Sequence, residues 1–247
     1  MIRNMIRKKR IFGLMILLGV FLLLCGQLLA EEDEFSVDEH TLFLVHFNKG
    51  LKADFAKGDP NPVGNASITS GGKGRFKEAV VLSKVPNPFS VMPISSIQYK
   101  TKDNFPVGEE GTIEFYFYLL NSLDFTGYGQ VNLFSMVGEE GDSKAMYIFF
   151  DCSNDKDKPP SPLYFWVNNL PESQTSCAFS MERIKKETWY HLAVSWNKAE
   201  VRLFLNGELL GRAKKIPFPP LASTMEFGGW YFQGLIDEIR ISDICRY

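Results

Sequence analysis

Excess charge of one sign, cysteine, histidine and helical periodicity are all scarce in this chain, and each shortage removes a class of function. The formal net charge is −2 across 247 residues, so no basic field exists to attract a phosphate backbone, and a nucleic-acid role is excluded. Four cysteines and three histidines form no Cys-x-x-Cys pair and no Cys/His cluster with zinc spacing, which argues against a structural zinc. Gly-x-Ser-x-Gly, His-Glu-x-x-His and phosphate-loop patterns are absent. The adjacent acids Glu109-Glu110 and Glu139-Glu140 sit beside glycines in expected turns rather than along a strand. No internal repeat or low-complexity tract interrupts the chain. Helical spacing is confined to Met181–Glu187 and Ser242–Arg246, a single turn each at most.

Aromatic side chains are plentiful, at 14% with 21 Phe, and they suit a sandwich whose sheets need bulky filling. Runs of strand character cover Thr41–Phe47, Ala79–Leu82, Thr112–Leu120, Val131–Val137, Ala145–Asp151, Leu163–Val167, Trp189–Trp196, Val201–Leu205, Leu209–Ala213, Met225–Phe227 and Phe232–Ile241. Gly, Pro, Asn and Asp collect in the gaps, including the proline-stiffened loop Ser153–Pro162. Alternation is clear within the runs. Ile113, Phe115, Phe117 and Leu119 share one face opposite Glu114, Tyr116 and Tyr118, and Leu192, Val194 and Trp196 oppose His191, Ala193 and Ser195. Asn206-Gly207 is a type I′ hairpin signal. The expected fold is all-β, a two-sheet antiparallel β-sandwich of jelly-roll type.

The N-terminus reads as a targeting segment. Arg7-Lys8-Lys9-Arg10 precedes an apolar run that continues to Ala30, and acids follow at Glu31 to Glu34. Residues 1–30 fit a secretory signal cleaved after Ala30, or a retained signal-anchor helix, with a lipidated Cys25 a third version. Each exports residues 41–247 behind a polar linker at 31–40. Membrane contact is expected only through an uncleaved N-terminal segment. Export favours disulfides among Cys152, Cys177 and Cys245. Cys152–Cys177 would close a loop worth about 3 kcal/mol, although the sequence does not choose among the three pairings.

The segment Gly234–Ser242 carries the sharpest site signal. Read as a plain strand, it puts Leu235, Asp237, Ile239 and Ile241 on one face and Ile236, Glu238 and Arg240 on the other. A carboxylate among aliphatic side chains must be held by backbone N–H groups, a cation or a metal. Tyr116, Tyr118, Tyr164 and Trp166 lie opposite the most aliphatic rows of their strands, as saccharide-stacking residues would. The competing reading has them filling core. His191 has no carboxylate or nucleophile at motif spacing and reads as a packed, hydrogen-bonded histidine.

Three segments taken in order carry a family resemblance: Trp189-Tyr190-His191-Leu192-Ala193-Val194-Ser195-Trp196, Leu203-Phe204-Leu205-Asn206-Gly207-Glu208-Leu209, and Gly234 through Ser242. With Leu42 to Asn48 and Gly111 to Phe117, they resemble laminin-G-like jelly-roll domains of the concanavalin A-like lectin and glucanase superfamily. The resemblance spans roughly Thr41 to Tyr247. It implies calcium held by Asp237 together with Asn48, which stands where the family usually has Asp, and with backbone carbonyls near Gly71 and Gly72. Catalytic members resemble one another in a Glu-x-Asp-x-x-Glu strand, and this chain has none. The expectation is therefore an exported, non-catalytic, lectin-like module that binds extracellular or cell-envelope glycan. A structural or adhesive protein-interaction domain at the envelope is the alternative, and a divergent glycan hydrolase or lyase is the third reading.

Overall fold

The structure, a computed structural model, describes residues 33–63, 69–82, 94–120, 129–139, 141–152, 163–169, 173–179, 184–215 and 217–247, without the side chains of 69–72, 94, 143 and 173–179. The segment expected to act in targeting, 1–30, and the loop expected at 153–162 lie outside the described residues. Residues Glu34–Tyr247 form one compact unit.

The described residues form sixteen strands: β1 (Thr41–Val45), β2 (Phe55–Ala56), β3 (Pro62–Val63), β4 (Thr69–Lys73), β5 (Glu78–Leu82), β6 (Ile94–Lys100), β7 (Gly111–Leu119), β8 (Gln130–Gly138), β9 (Gly141–Asp151), β10 (Leu163–Asn169), β11 (Ser173–Phe179), β12 (Trp189–Trp196), β13 (Glu200–Leu205), β14 (Glu208–Lys214), β15 (Thr224–Trp230) and β16 (Gly234–Ser242). Every run read as a strand overlaps one of them, although Phe47, Leu120 and Phe232 lie beyond the strand ends. The described residues contain no helix, so the turns expected at Ile184–Glu187 and Ser242–Arg246 are irregular; residues 181–183 lie outside the described set.

Two antiparallel sheets make the sandwich. The first has the order β14-β13-β12-β7-β16-β1-β2, with the β4–β5 hairpin joined to β16. The second has the order β11-β10-β9-β8-β15-β6-β3. Phe43, Phe115 and Phe117 from the first sheet face Phe134, Phe150, Phe165 and Phe227 from the second, all fully buried. Ring contacts such as Phe115–Phe227 at 5.5 Å and Phe117–Phe150 at 5.9 Å bind the layers across the gap. Asn206 and Gly207, with φ of 49° and 77°, turn β13 into β14 as the Asn-Gly pair requires.

The last strand departs from its sequence reading. Asp237 pairs with Tyr116 and Arg240 with Glu114, so two residues of β16, Glu238 and Ile239, oppose the single Phe115 of β7. The extra residue is Glu238, at φ 53°. This bulge reverses side-chain parity partway along the strand. Ile236, Ile239 and Ile241 enter the core, while Asp237, Glu238 and Arg240 all lie on the outer face with Tyr116 and Glu114. Asp237 is buried, but not among the aliphatic row expected for it.

Two other expectations change. The segment expected as a linker at 31–40 joins the sandwich from Glu34, where Phe35 packs on Tyr116 and His191. Cys177 pairs in register with Phe165, and Phe165 with Ile148, so Cys177 lies two strands across from β9 and four residues short of Cys152. Two strand spacings are about 9–10 Å, beyond the 7 Å Cα separation that a disulfide spans. The Cys152–Cys177 bridge does not fit this register.

Candidate functional site

The outer face of the first sheet is charged, aromatic and closed. Glu114 on β7 is fully buried. Its Oε1 accepts the Arg240 Nε–H at 2.7 Å, and its Oε2 accepts the Tyr247 hydroxyl at 2.6 Å and lies 3.2 Å from His191 Nε2. Burial pushes the Glu114 carboxyl upward, but the His191, Arg240 and Tyr247 contacts outweigh it and hold the group below its ordinary range. Next to it, Glu238 Oε2 accepts the Phe35 backbone N–H at 2.7 Å and Oε1 meets His46 Nδ1 at 2.7 Å. That hydrogen bond raises the His46 pKa against its partial burial. Arg240 therefore pairs with Glu114 rather than with Glu238, and it stacks 4.3 Å over Phe35. His191 packs and hydrogen-bonds as expected, with a carboxylate that arrives from the neighbouring strand rather than at motif spacing.

Asp237 is held by the β4–β5 turn. Oδ2 accepts the Arg75 N–H at 2.8 Å, Oδ1 accepts the Glu238 N–H at 2.9 Å, and the Phe76 N–H adds a third bond. Burial and the adjacent Glu238 charge nevertheless push its pKa up to about 7. The glycine that admits this carboxylate is Gly74, not Gly71 or Gly72; a Cβ on Gly74 would come within 2.6 Å of Oδ2. Gly72 pairs with Ala79 on β5 and so stands a strand further from β16. Asn48 turns its Oδ1 to the Glu78 N–H at 3.0 Å and its amide to Glu34. The oxygens expected to hold calcium thus receive N–H donors, which is anion-like surroundings. Among the described residues, no group of three or more His, Cys, Asp and Glu side chains is arranged around a common point. This donor set does not fit calcium, which needs six to eight oxygens.

Tyr116 lies in the same layer, 5% exposed beneath Phe35, Phe76 and His191. Tyr118 packs on Trp189 at 5.3 Å. The structure thus separates the four sequence-derived aromatics into two pairs on opposite sheets, and the covered Tyr116 presents no ring face to a ligand.

The outer face of the second sheet differs in kind. Trp166 pairs with Tyr147 across β10 and β9, their rings stacked at 5.5 Å and 20°, and Tyr164 pairs with Phe149 at 5.1 Å and 9°. Tyr147, Tyr164 and Trp166 are each half-buried, which leaves part of their surface open. Polar groups border these rings. The Tyr147 hydroxyl donates to Asp142 Oδ1 at 2.5 Å, and Glu226 on β15 lies in the same row through Ser135. Asn132 and Asn168 share this face and are both 5% exposed, yet neither side-chain oxygen has a hydrogen-bond partner among the described residues. A buried acceptor left without a donor costs about 1–3 kcal/mol. Tyr147 and Phe149 were missing from the sequence reading, although they alternate with Met146, Ile148 and Phe150 and the same periodicity would have found them. Asp142, Glu226 and the two asparagines left no mark, because only strand register brings them together.

A second concavity, of about 560 Å³, lies at one end of the sandwich between Pro106, Val107, Glu109, Lys198 and Phe218. Glu109 and Lys198 pair with each other there at 2.8 Å, and the Lys215 Nζ lies 4.8 Å over the Phe218 ring.

The laminin-G family model described as concanavalin A-like lectin/glucanases superfamily matches residues 95–246, more than half of the chain. The chain belongs to that superfamily. No curated protein matches it. Among solved structures, the botulinum neurotoxin serotype D binding domain superposes on this superfamily member with a TM-score of 0.65 at 12% identity, covering 84% of this chain and 48% of that one. The binding domain of botulinum neurotoxin DC in complex with SialylT gives 0.60 at 14%, covering 85% and 49%. Domain 4 of AbnA, a GH43 extracellular arabinanase from Geobacillus stearothermophilus, in complex with arabinotriose, gives 0.55 at 18%, covering 83% and 93%. The chain spans about half the length of the toxin chains and nearly all of the arabinanase domain. At these identities the likeness establishes the fold.

Proposed function

We propose that this protein is an exported, non-catalytic glycan-binding module whose ligand lies on the outer face of the second sheet. The observation that carries this is the pair of stacked aromatic couples, Tyr147–Trp166 and Tyr164–Phe149, bordered by hydrogen-bonding side chains. A saccharide offers apolar C–H faces to such rings and hydroxyls to the groups around them. Superfamily membership supports the reading, as do two fold relatives that were solved with an arabinotriose and a SialylT ligand. Export rests on the basic-then-apolar pattern of residues 1–30.

The non-catalytic part rests on where the interior acids lie. Glu114 and Glu238 are fully buried and Asp237 is 1% exposed, all three engaged by protein donors. A glycosidase needs its carboxyl pair open to the scissile bond. The test is a glycan array read with the protein and with Trp166→Ala. Binding that Trp166→Ala abolishes is the expected outcome. An array without any hit, or hits indifferent to Trp166, would overturn the assignment, and release of shortened sugars would overturn its non-catalytic part.

A further inference from the structure

The character of the second sheet's outer face narrows the kind of sugar it accepts. Its seven strands contain two lysines, Lys100 and Lys144, and neither arginine nor histidine. Both lysines are committed: Lys100 pairs with Asp59 at 2.8 Å, and Lys144 donates to Asn169 Oδ1 at 2.9 Å. The groups that border the stacked rings are acceptors instead. Asp142 is exposed beside the Tyr147 hydroxyl, and Glu226 takes only a long 3.3 Å contact from Ser135. Asn132 Oδ1 and Asn168 Oδ1 are buried acceptors with no donor. One N–H of the Asn168 amide is donated to the Asp142 carbonyl at 2.6 Å. Beside Asn132, Gly229 at φ 122° keeps the strand free of a side chain, since a Cβ there would lie 3.3 Å from the Asn132 Cβ and 3.7 Å from Glu226 Oε1.

From this we infer that the site takes uncharged, hydroxyl-rich saccharide and rejects sugars that carry carboxylate or sulfate. The inference rests on the glycan-binding reading above and adds a charge rule to it. A face whose described residues offer open acceptors and no uncommitted cation satisfies hydroxyl donors. It sets Asp142 and Glu226 against any anionic substituent, and like-charge apposition is the ordinary means of excluding a wrong ligand. The exposed Asp142 and the half-exposed Glu226 are the positions where sugar hydroxyls would donate.

The experiment uses calorimetric titration of the chain with arabinotriose, xylohexaose, cellohexaose and maltohexaose as uncharged probes, and with 3′-sialyllactose and hexagalacturonate as anionic ones. At least one uncharged probe should bind, with Trp166→Ala weakening it about tenfold or more and both anionic probes failing to saturate. The double variant Asp142→Asn, Glu226→Gln, checked for an unchanged melting midpoint, should gain measurable affinity for an anionic probe, and no gain would overturn the charge rule. If an anionic probe binds the unaltered chain as tightly as any uncharged probe and loses affinity in Trp166→Ala, the charge rule is wrong while the glycan-binding reading stands. If no probe binds, or binding ignores Trp166, both fail together.

Discussion

The two outer faces of this sandwich hold equivalent positions in the architecture and are finished in opposite ways. On the first sheet, Glu114, Glu238, Asp237, His46, His191 and Arg240 form an interlocked layer, sealed by the segment around Phe35, the Arg75–Phe76 turn and Tyr247. Nearly every polar atom there has a protein partner. On the second sheet, aromatic rings stack in neighbouring pairs, and two buried asparagine oxygens have none. A face whose hydrogen-bonding capacity is consumed internally stabilises the fold. One that leaves capacity unspent is equipped for a ligand.

Substitutions on the two faces should therefore separate stability from binding. The largest effect is expected at Glu114→Ala. It strands Arg240 in a buried site and removes the shared partner of His191 and Tyr247, at a cost of about 3–5 kcal/mol. Thermal melting should show a drop of about 6–20 °C for a chain of this size, and saccharide binding by the surviving folded fraction should be unchanged. Gly74→Ala comes next. Its Cβ would lie 2.5 Å from the Glu78 carbonyl and 2.6 Å from Asp237 Oδ2, so the turn must shift, costing about 1–3 kcal/mol. Trp166→Ala should invert the pattern, with a melting change of only a few degrees and a loss of binding; equal damage to both would break the comparison.

The pH dependence sharpens the same contrast. The raised His46 pKa means that its contribution is fully present below the ordinary histidine value and is lost as pH climbs through the folded one. Asp237, held at about 7, acts in the same direction, because the unfolded chain releases that proton near pH 4 and the folded chain keeps it until near neutrality. Glu114 acts in the opposite sense, its contribution disappearing only as pH falls below the ordinary carboxylate range. The melting midpoint should decline from pH 6 to pH 8, and His46→Gln should flatten that decline. The smallest expected effect is that of calcium: millimolar calcium and chelator should leave the midpoint alike. A rise with calcium that Asp237→Asn removes would show the turn opening to admit a cation.

The sandwich was legible in the sequence because its signals are local. Alternation along β7, β12 and β13 and the Asn206-Gly207 turn each specify their neighbourhood without distant help. Five strands escaped notice: β6 and β11 are rich in polar residues, β4 has two glycines, and β2 and β3 are only two residues long. The bulge at Glu238 was illegible because nothing in that residue's type announces a positive φ, and one unmarked insertion reversed the faces of a whole strand. For the candidate site, Tyr164 and Trp166 were readable from periodicity. The burial of Tyr116 was not, because Phe35 and Phe76 reach it from remote parts of the chain.

β16 has one further consequence. Its first half hydrogen-bonds β5, its second half β1, and its other edge β7. Three segments separated by tens of residues thus wait on a strand made after all of them. During synthesis the first sheet cannot close until residues 234–242 have left the ribosome. A chain halted before Gly234 would leave β1 and β5 with bare hydrogen-bonding edges, the condition that invites pairing with other molecules. Closure of the first sheet is gated by the appearance of β16.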